Sequence, residues 1–185
     1  MSRHVEHGRA LLVGLPDVGR VLDLGSGGGL PGLVLAAHRP ELELTLLEAR
    51  QRASRFLREA VAELGLTRVT VIEARAEEAA RRPDLREEFD AVVARSFGPP
   101  PVTAECAAGF LRVGGHLVVS EPPDEDGPDL PSPRWPAEGL EALGFAPAIR
   151  NAAAGATFVS LAKVRADDRW PRRVGVPAKR PLWKV

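Results

Sequence analysis

Five glycines and two prolines crowd into VLDLGSGGGLPGLVLAAHRP (residues 21–40), which joins an apolar run to a helical pattern. A glycine cluster directly after a strand lets backbone N–H groups approach a ligand, because a Cβ would block contact and restrict φ. Two ligand classes use such a turn. Gly27, Gly29 and Gly32 match the dinucleotide fingerprint G-x-G-x-x-G, with Glu48 placed further on to hold a ribose. Asp23 followed by Gly25, Gly27 and Gly29 matches instead an acidic residue before G-x-G-x-G. That carboxylate would stand at a strand end and meet the cationic methionine portion of S-adenosylmethionine, directly or through water. It would repel a pyrophosphate, so the sulfonium ligand is the favoured one, with Ser26 and Gly27 in the same turn placed against it.

Two further acidic positions share this geometry. Glu48 closes the second apolar run in TLLEAR, where a carboxylate can accept both hydrogen bonds of a ribose diol or cap the helix that follows. Ala76 and Glu77 lie just past the third run, in EARAEE, and ligands in open α/β sheets bind outside such strand ends. This loop is therefore placed to meet an adenine, although Glu77 also suits the first turn of a helix.

The elements that must position these groups follow from periodicity. Residues 3–14 have helical spacing; residues 20–24, 42–47, 69–72, 89–94 and 115–119 read as strands, the last after a Gly-Gly turn. Helices are expected over 30–38, 51–64, 76–82, 103–111 and 137–143. Strands alternating with helices require crossover connections, so the fold class is α/β: a doubly wound, mostly parallel sheet, Rossmann-like. Residues 122–136 contain six prolines and read as an exposed loop. Beyond them, strands over 145–149 and 157–164 with a tight connection make an antiparallel hairpin on the sheet edge, as a methyltransferase sheet would require.

The chain has 185 residues, of which 44% are hydrophobic, enough for one domain with a core of its own. Its single cysteine excludes an internal disulfide, and no apolar run is long enough to span a bilayer or laid out as a signal peptide. A cytoplasmic location with no membrane contact is expected. From Lys163 onward eight basic residues face only Asp167 and Asp168, a local charge of +6 that leaves −6 on the first 162 residues. We therefore divide the chain into a domain over 1–164 and a basic tail over 165–185, the tail suited to a polyanionic partner or to solvent.

Several segments together resemble the bacterial small-subunit ribosomal RNA methyltransferase G family, also called glucose-inhibited division protein B, which methylates guanine N7. DLGSGGGLPG (23–32) is similar to its cofactor loop, RHVEHGRALL (3–12) to its Arg-His helix, and VVARSFGPP (92–100) to its fourth-strand motif. FLRVGGH (110–116) and PRRVGVPAKRPL (171–182) are similar to its following turn and basic tail. The resemblance implies S-adenosylmethionine contact at Gly25, Leu30, Ala76, Glu77 and Arg95, and ribosomal RNA or the small ribosomal subunit as partner. Arg95 and Phe97 are then placed to contact a phosphate and stack a base, and Arg172, Arg173, Lys179 and Arg180 to bind the RNA backbone.

Guanine N7 carries a lone pair and no proton, so no side chain is assigned as a catalytic acid or base. No Asn/Asp-Pro-Pro-aromatic loop follows the fourth strand, and Cys106 lies in a helical pattern as a core residue. No metal is expected, since His4 and His7 have no partner ligands nearby, and the chain is expected to act as a monomer. Two departures from the family pattern stand out. Helices that normally precede the Arg-His helix are not in this chain, and Ser120-Glu121-Pro122-Pro123 replaces a Lys-Gly pair. A carboxylate there would oppose an RNA phosphate, which keeps two alternatives in view: a small-molecule methyltransferase of the same fold, and a degenerate RNA-binding relative without catalysis.

Overall fold

The computed structural model describes Leu11, Leu15 and residues 19–122, 133–153 and 156–185. The helix expected over 3–14, apart from Leu11, and most of the proline-rich loop lie outside the described residues, as do residues 154–155. Strands β1 (Arg20–Leu24), β2 (Glu43–Glu48), β3 (Val69–Glu73), β4 (Phe89–Ala94) and β5 (Leu111–Glu121) are followed by β6 (Ile149–Ala153) and β7 (Ala156–Ala162). Helices α1 (Gly32–His38), α2 (Gln51–Glu63), α3 (Ala76–Ala79), α4 (Pro100–Ala108), α5 (Ala137–Ala142) and α6 (Val176–Lys179) connect or follow them. One sheet results, in the order β3-β2-β1-β4-β5-β7-β6, parallel from β3 to β5 and antiparallel at β7 and β6.

Alternation along each central strand builds two separate cores. Leu22, Leu24, Val92, Ala94, Leu117 and Val119 point to one face, with α4 and α5. Val21, Leu44, Leu46, Ala91, Val93 and Val118 point to the other, with Leu35 of α1 and Leu57 of α2. A sheet buried on both faces needs such apolar runs. Only Asp23 breaks the run of β1, on the same face as Val21, and its surroundings decide its role.

Several boundaries differ from the periodic reading. Helix α4 begins at Pro100 because a proline costs nothing in a first turn, and it stops at Ala108, so that Leu111 already belongs to β5. The Gly-Gly pair lies inside β5 rather than before it: the pairing slips between Phe89 and Ala91, and a Cβ on Gly115 would fall 2.9 Å from the Phe89 carbonyl. In the hairpin, β6 pairs Asn151 with Phe158, while Phe145 makes only an isolated bridge to Lys163. The strand expected over 145–149 thus starts four residues late, after a turn that carries Gly144 at φ +78°.

The basic segment folds back onto the domain. Glu105 of α4 is fully buried, and its Oε1 accepts from Arg172 N and Nε at 2.9 and 2.8 Å while Oε2 accepts from Nη2 at 2.6 Å. Pro171 and Pro177 are buried, and the Trp183 indole donates to the Arg134 carbonyl at 3.0 Å. Burying the Glu105 carboxylate is costly unless it is paired, so this contact decides whether the segment stays docked. Arg172→Ala is expected to lower stability by about 3–5 kcal/mol in urea unfolding. A double Glu105→Met, Arg172→Met variant, which leaves no charge stranded, should lose much less.

Candidate active site

The carboxyl ends of the parallel strands meet at one buried carboxylate. Glu48 Oε2 accepts from Gly27 N at 2.9 Å, and Oε1 accepts from Arg50 N and Nε at 2.8 and 3.0 Å. Its backbone carbonyl accepts from Ala74 N at 3.2 Å and from Ser54 Oγ at 3.1 Å. One residue earlier, the Leu47 carbonyl accepts from Gly25 N and Ser26 N at 2.9 and 3.0 Å. Burial pushes the Glu48 carboxyl upward, but the hydrogen bonds from Arg50 and Gly27 outweigh it and hold the group below the usual carboxylate range.

Asp23 holds the other side of the turn. Its Oδ2 accepts from Gly32 N at 3.0 Å, and its carbonyl accepts from Ser26 Oγ at 3.0 Å. A Cβ at Gly32 would stand 2.5 Å from Asp23 Oδ2, which is why glycine is required where α1 begins. The carboxylate is only 1% exposed, and burial raises its pKa to about 7 against the bonds from Ser26 and Gly32. It lines neither cavity described below. Sequence reasoning set it facing the ligand; the structure turns it onto the helix start instead, because its place in β1 points into the core beside Val21 and Leu46.

Two cavities, each of about 370 Å³, open at these strand ends. The first is lined by Gly25, Leu47, Glu48, Arg50, Ala74 and Ala76. The second is lined by Arg95, Pro100, Thr103, Val119, Glu121, Arg134 and Trp135. Ser96 and Phe97 line both, so they form the wall between them. Phe97 lies against Gly25, whose φ of +74° and absent side chain allow the approach: a Cβ there would be 2.5 Å from Phe97 Cδ2. Ser96 has φ +55°, a left-handed conformation that costs a non-glycine residue on the order of 1–3 kcal/mol.

Of the residues expected at the cofactor, Gly25, Glu48 and Ala76 line the first cavity, while Ser26 and Gly27 shape its turn. Leu30 lies outside both linings, and Arg95 lines only the second cavity. Glu77 is turned away: its Oε1 accepts from Gly175 N at 2.9 Å, with Arg75 3.6 Å off, so its side chain serves the C-terminal segment. Arg172 is committed to Glu105, whereas Arg173, Lys179 and Arg180 are exposed. The periodic reading passed over Ser96, Arg134 and Trp135. The last two lie within the proline-rich stretch read as an exposed loop and carry no motif.

The first cavity fits S-adenosylmethionine by its donors and acceptors. A buried carboxylate at the end of β2 suits a ribose diol, apolar Leu47, Ala74 and Ala76 suit an adenine, and the glycine turn brings backbone close to the amino-acid end. Among the described residues no cluster of His, Cys, Asp and Glu is arranged to hold a metal ion, and no helix is long and apolar enough to cross a membrane.

Comparison with known proteins points the same way. The family described as rRNA small subunit methyltransferase G matches residues 2–121. The ribosomal RNA small subunit methyltransferase G of Moorella thermoacetica is 35% identical over 179 residues, covering 93% of this chain and 73% of that protein. Its counterpart in Rubrobacter xylanophilus is 40% identical over 175 residues, covering 91% of this chain and 67% of that one. Among solved structures, the S-adenosylmethionine-dependent methyltransferase SibL superposes with a TM-score of 0.64 at 25% identity, covering 85% of this chain and 55% of its own.

Asp23 makes stability depend on pH in a definite direction. Folded, it keeps its proton up to about pH 7; its ordinary value is 3.8, so folding takes up a proton between the two. The stability this group contributes is fully present below about pH 4 and is lost as pH rises toward 7. Urea unfolding at a series of pH values should therefore show the wild-type chain losing ground to an Asp23→Asn variant across that window.

Proposed function

The chain belongs to the rRNA small subunit methyltransferase G family, and on that premise we propose that it methylates guanine N7 in small-subunit ribosomal RNA, acting as a cytoplasmic monomer. It is an S-adenosylmethionine-dependent methyltransferase. The observation that carries the reading is the shared wall: a cavity lined by the glycine turn and the Glu48 carboxylate and a cavity with basic and aromatic walls meet at Ser96 and Phe97. Bound in the first cavity, the cofactor supplies a sulfonium-activated methyl group. The work left to the protein is to hold acceptor and donor at attack distance, which can remove many kcal/mol of barrier without acid or base groups. N7 has a lone pair and no proton to surrender, so positioning suffices.

Named residues divide this work. Glu48 anchors the ribose, and its ion pair with Arg50 keeps it charged and ready to accept. Phe97 offers a stacking face on the acceptor side, and Arg95 lies on the same lining. Glu121, which by its charge argued for a small-molecule acceptor, is paired with Arg134 Nη1 at 2.8 Å and buried, so it does not confront a phosphate as a bare charge. Exposed Arg173, Lys179 and Arg180 supply a basic surface for the RNA backbone; Arg172 has a structural partner and is left out of this surface.

Tritiated-methyl transfer tests the reading. Label from S-adenosylmethionine should enter small-subunit ribosomal RNA, presented as naked RNA or as 30S particles, and be recovered as N7-methylguanosine; label recovered only in a pool of small metabolites overturns it. Reversing three charges together (Arg173→Glu, Lys179→Glu, Arg180→Glu) should weaken RNA binding and make the slope of log K against log salt shallower by about 2. An unaltered slope removes this surface from RNA contact.

A further inference from the structure

Glu121 closes β5 with its side chain only 5% exposed, and it lies on the wall of the acceptor cavity with Arg134 as counter-charge. Trp135 lines the same cavity, and its buried indole N–H faces the Glu121 carboxylate without making a well-formed hydrogen bond to it. A buried donor without a well-formed hydrogen bond is rare, and a carboxylate bonded by one guanidinium N–H still has lone pairs to fill. Together they ask for a ligand that presents one acceptor beside adjacent donors.

The Watson–Crick edge of guanine has that order: O6 accepts, and N1–H and the N2 amine donate. Resting on the guanine-N7 reading above, we infer that Trp135 and Glu121 read this edge, the indole N–H donating to O6 and the carboxylate accepting from N1–H and N2. Held this way, with its six-membered ring against the end of β5, the base turns its imidazole ring, which carries N7, toward the Ser96–Phe97 wall and the cofactor cavity. Phe97 covers the ring face. The base must leave its stack to enter, as bases do when an enzyme acts on them in an enclosed pocket. Adenine is rejected because its N1 lone pair would meet the carboxylate while the indole N–H faced an amine, leaving buried polar groups unpaired. Glu121 and Trp135 thus act as specificity residues for the acceptor, while Arg134 opposes the burial that pushes the Glu121 carboxyl above its ordinary value.

Methyl transfer into ribosomal RNA carrying guanosine or inosine at the nucleotide that the wild-type chain labels tests this, since inosine keeps O6, N1–H and N7 and lacks only the N2 amine. The wild-type chain should lose roughly tenfold to a hundredfold in kcat/KM on inosine. Glu121→Gln should be slower on guanosine, bind S-adenosylmethionine normally in calorimetry, and discriminate between the two bases by no more than about threefold. Equal wild-type rates on the two RNAs overturn the inference, as does a Glu121→Gln variant that keeps the full preference for guanosine. If that variant fails to bind the cofactor, the wild-type comparison decides alone. No transfer to either RNA by the wild-type chain would sink the guanine-N7 reading itself, and this inference with it.

Discussion

Glu48 ties three strand ends together, two through its carboxylate and one through its backbone carbonyl, and it lines the cavity that they surround. The carboxylate takes Gly27 from the turn after β1 and Arg50 from the exit of β2, while the backbone carbonyl takes Ala74 from the exit of β3. A turn with this many glycines has a large conformational entropy to lose. Backbone bonds to Leu47 and Glu48, with Asp23 closing the far side on Gly32, offset that loss and leave the turn glycine-rich yet held.

The acceptor side is built differently. Its wall comes from Arg95 and Phe97 after β4, Glu121 at the end of β5, and Arg134 and Trp135 just before α5. Here side chains define the surface, and the main chain contributes mostly strain, at Ser96. The donor cavity depends on geometry shared across a fold, whereas the acceptor cavity depends on identities that can change one residue at a time. That division explains why the cofactor was legible in the sequence at once and the acceptor only through resemblance.

Legibility follows the range of the interaction. The strands were readable because Val21, Leu22 and Leu24 or Leu44, Leu46 and Leu47 are buried whichever face they point to, and apolar runs reveal this locally. Glu48 was singled out because it ends such a run, and it does line the first cavity. Asp23 was read as facing outward because its type and place could not tell which way β1 turns it. Glu77 and Arg172 were assigned to ligands although their partners, Gly175 and Glu105, stand 98 and 67 residues away. Glu121 was read as a repelling charge because Arg134 lies across a proline-rich stretch with no pattern linking the two. For Glu77 and Arg172 the residue type was informative and the missing fact was a partner distant in the sequence.

The C-terminal segment draws these strands of argument together. It carries the basic residues, yet it is also bonded to Glu77 beside the cofactor loop and to Glu105 inside α4. A premature stop codon before Arg172 would leave the Glu105 carboxylate stranded in the interior. Such an allele would show itself in a cell as missing protein, cleared by proteases, and a screen that scored only the lost modification would mistake it for an enzyme unable to grip its target.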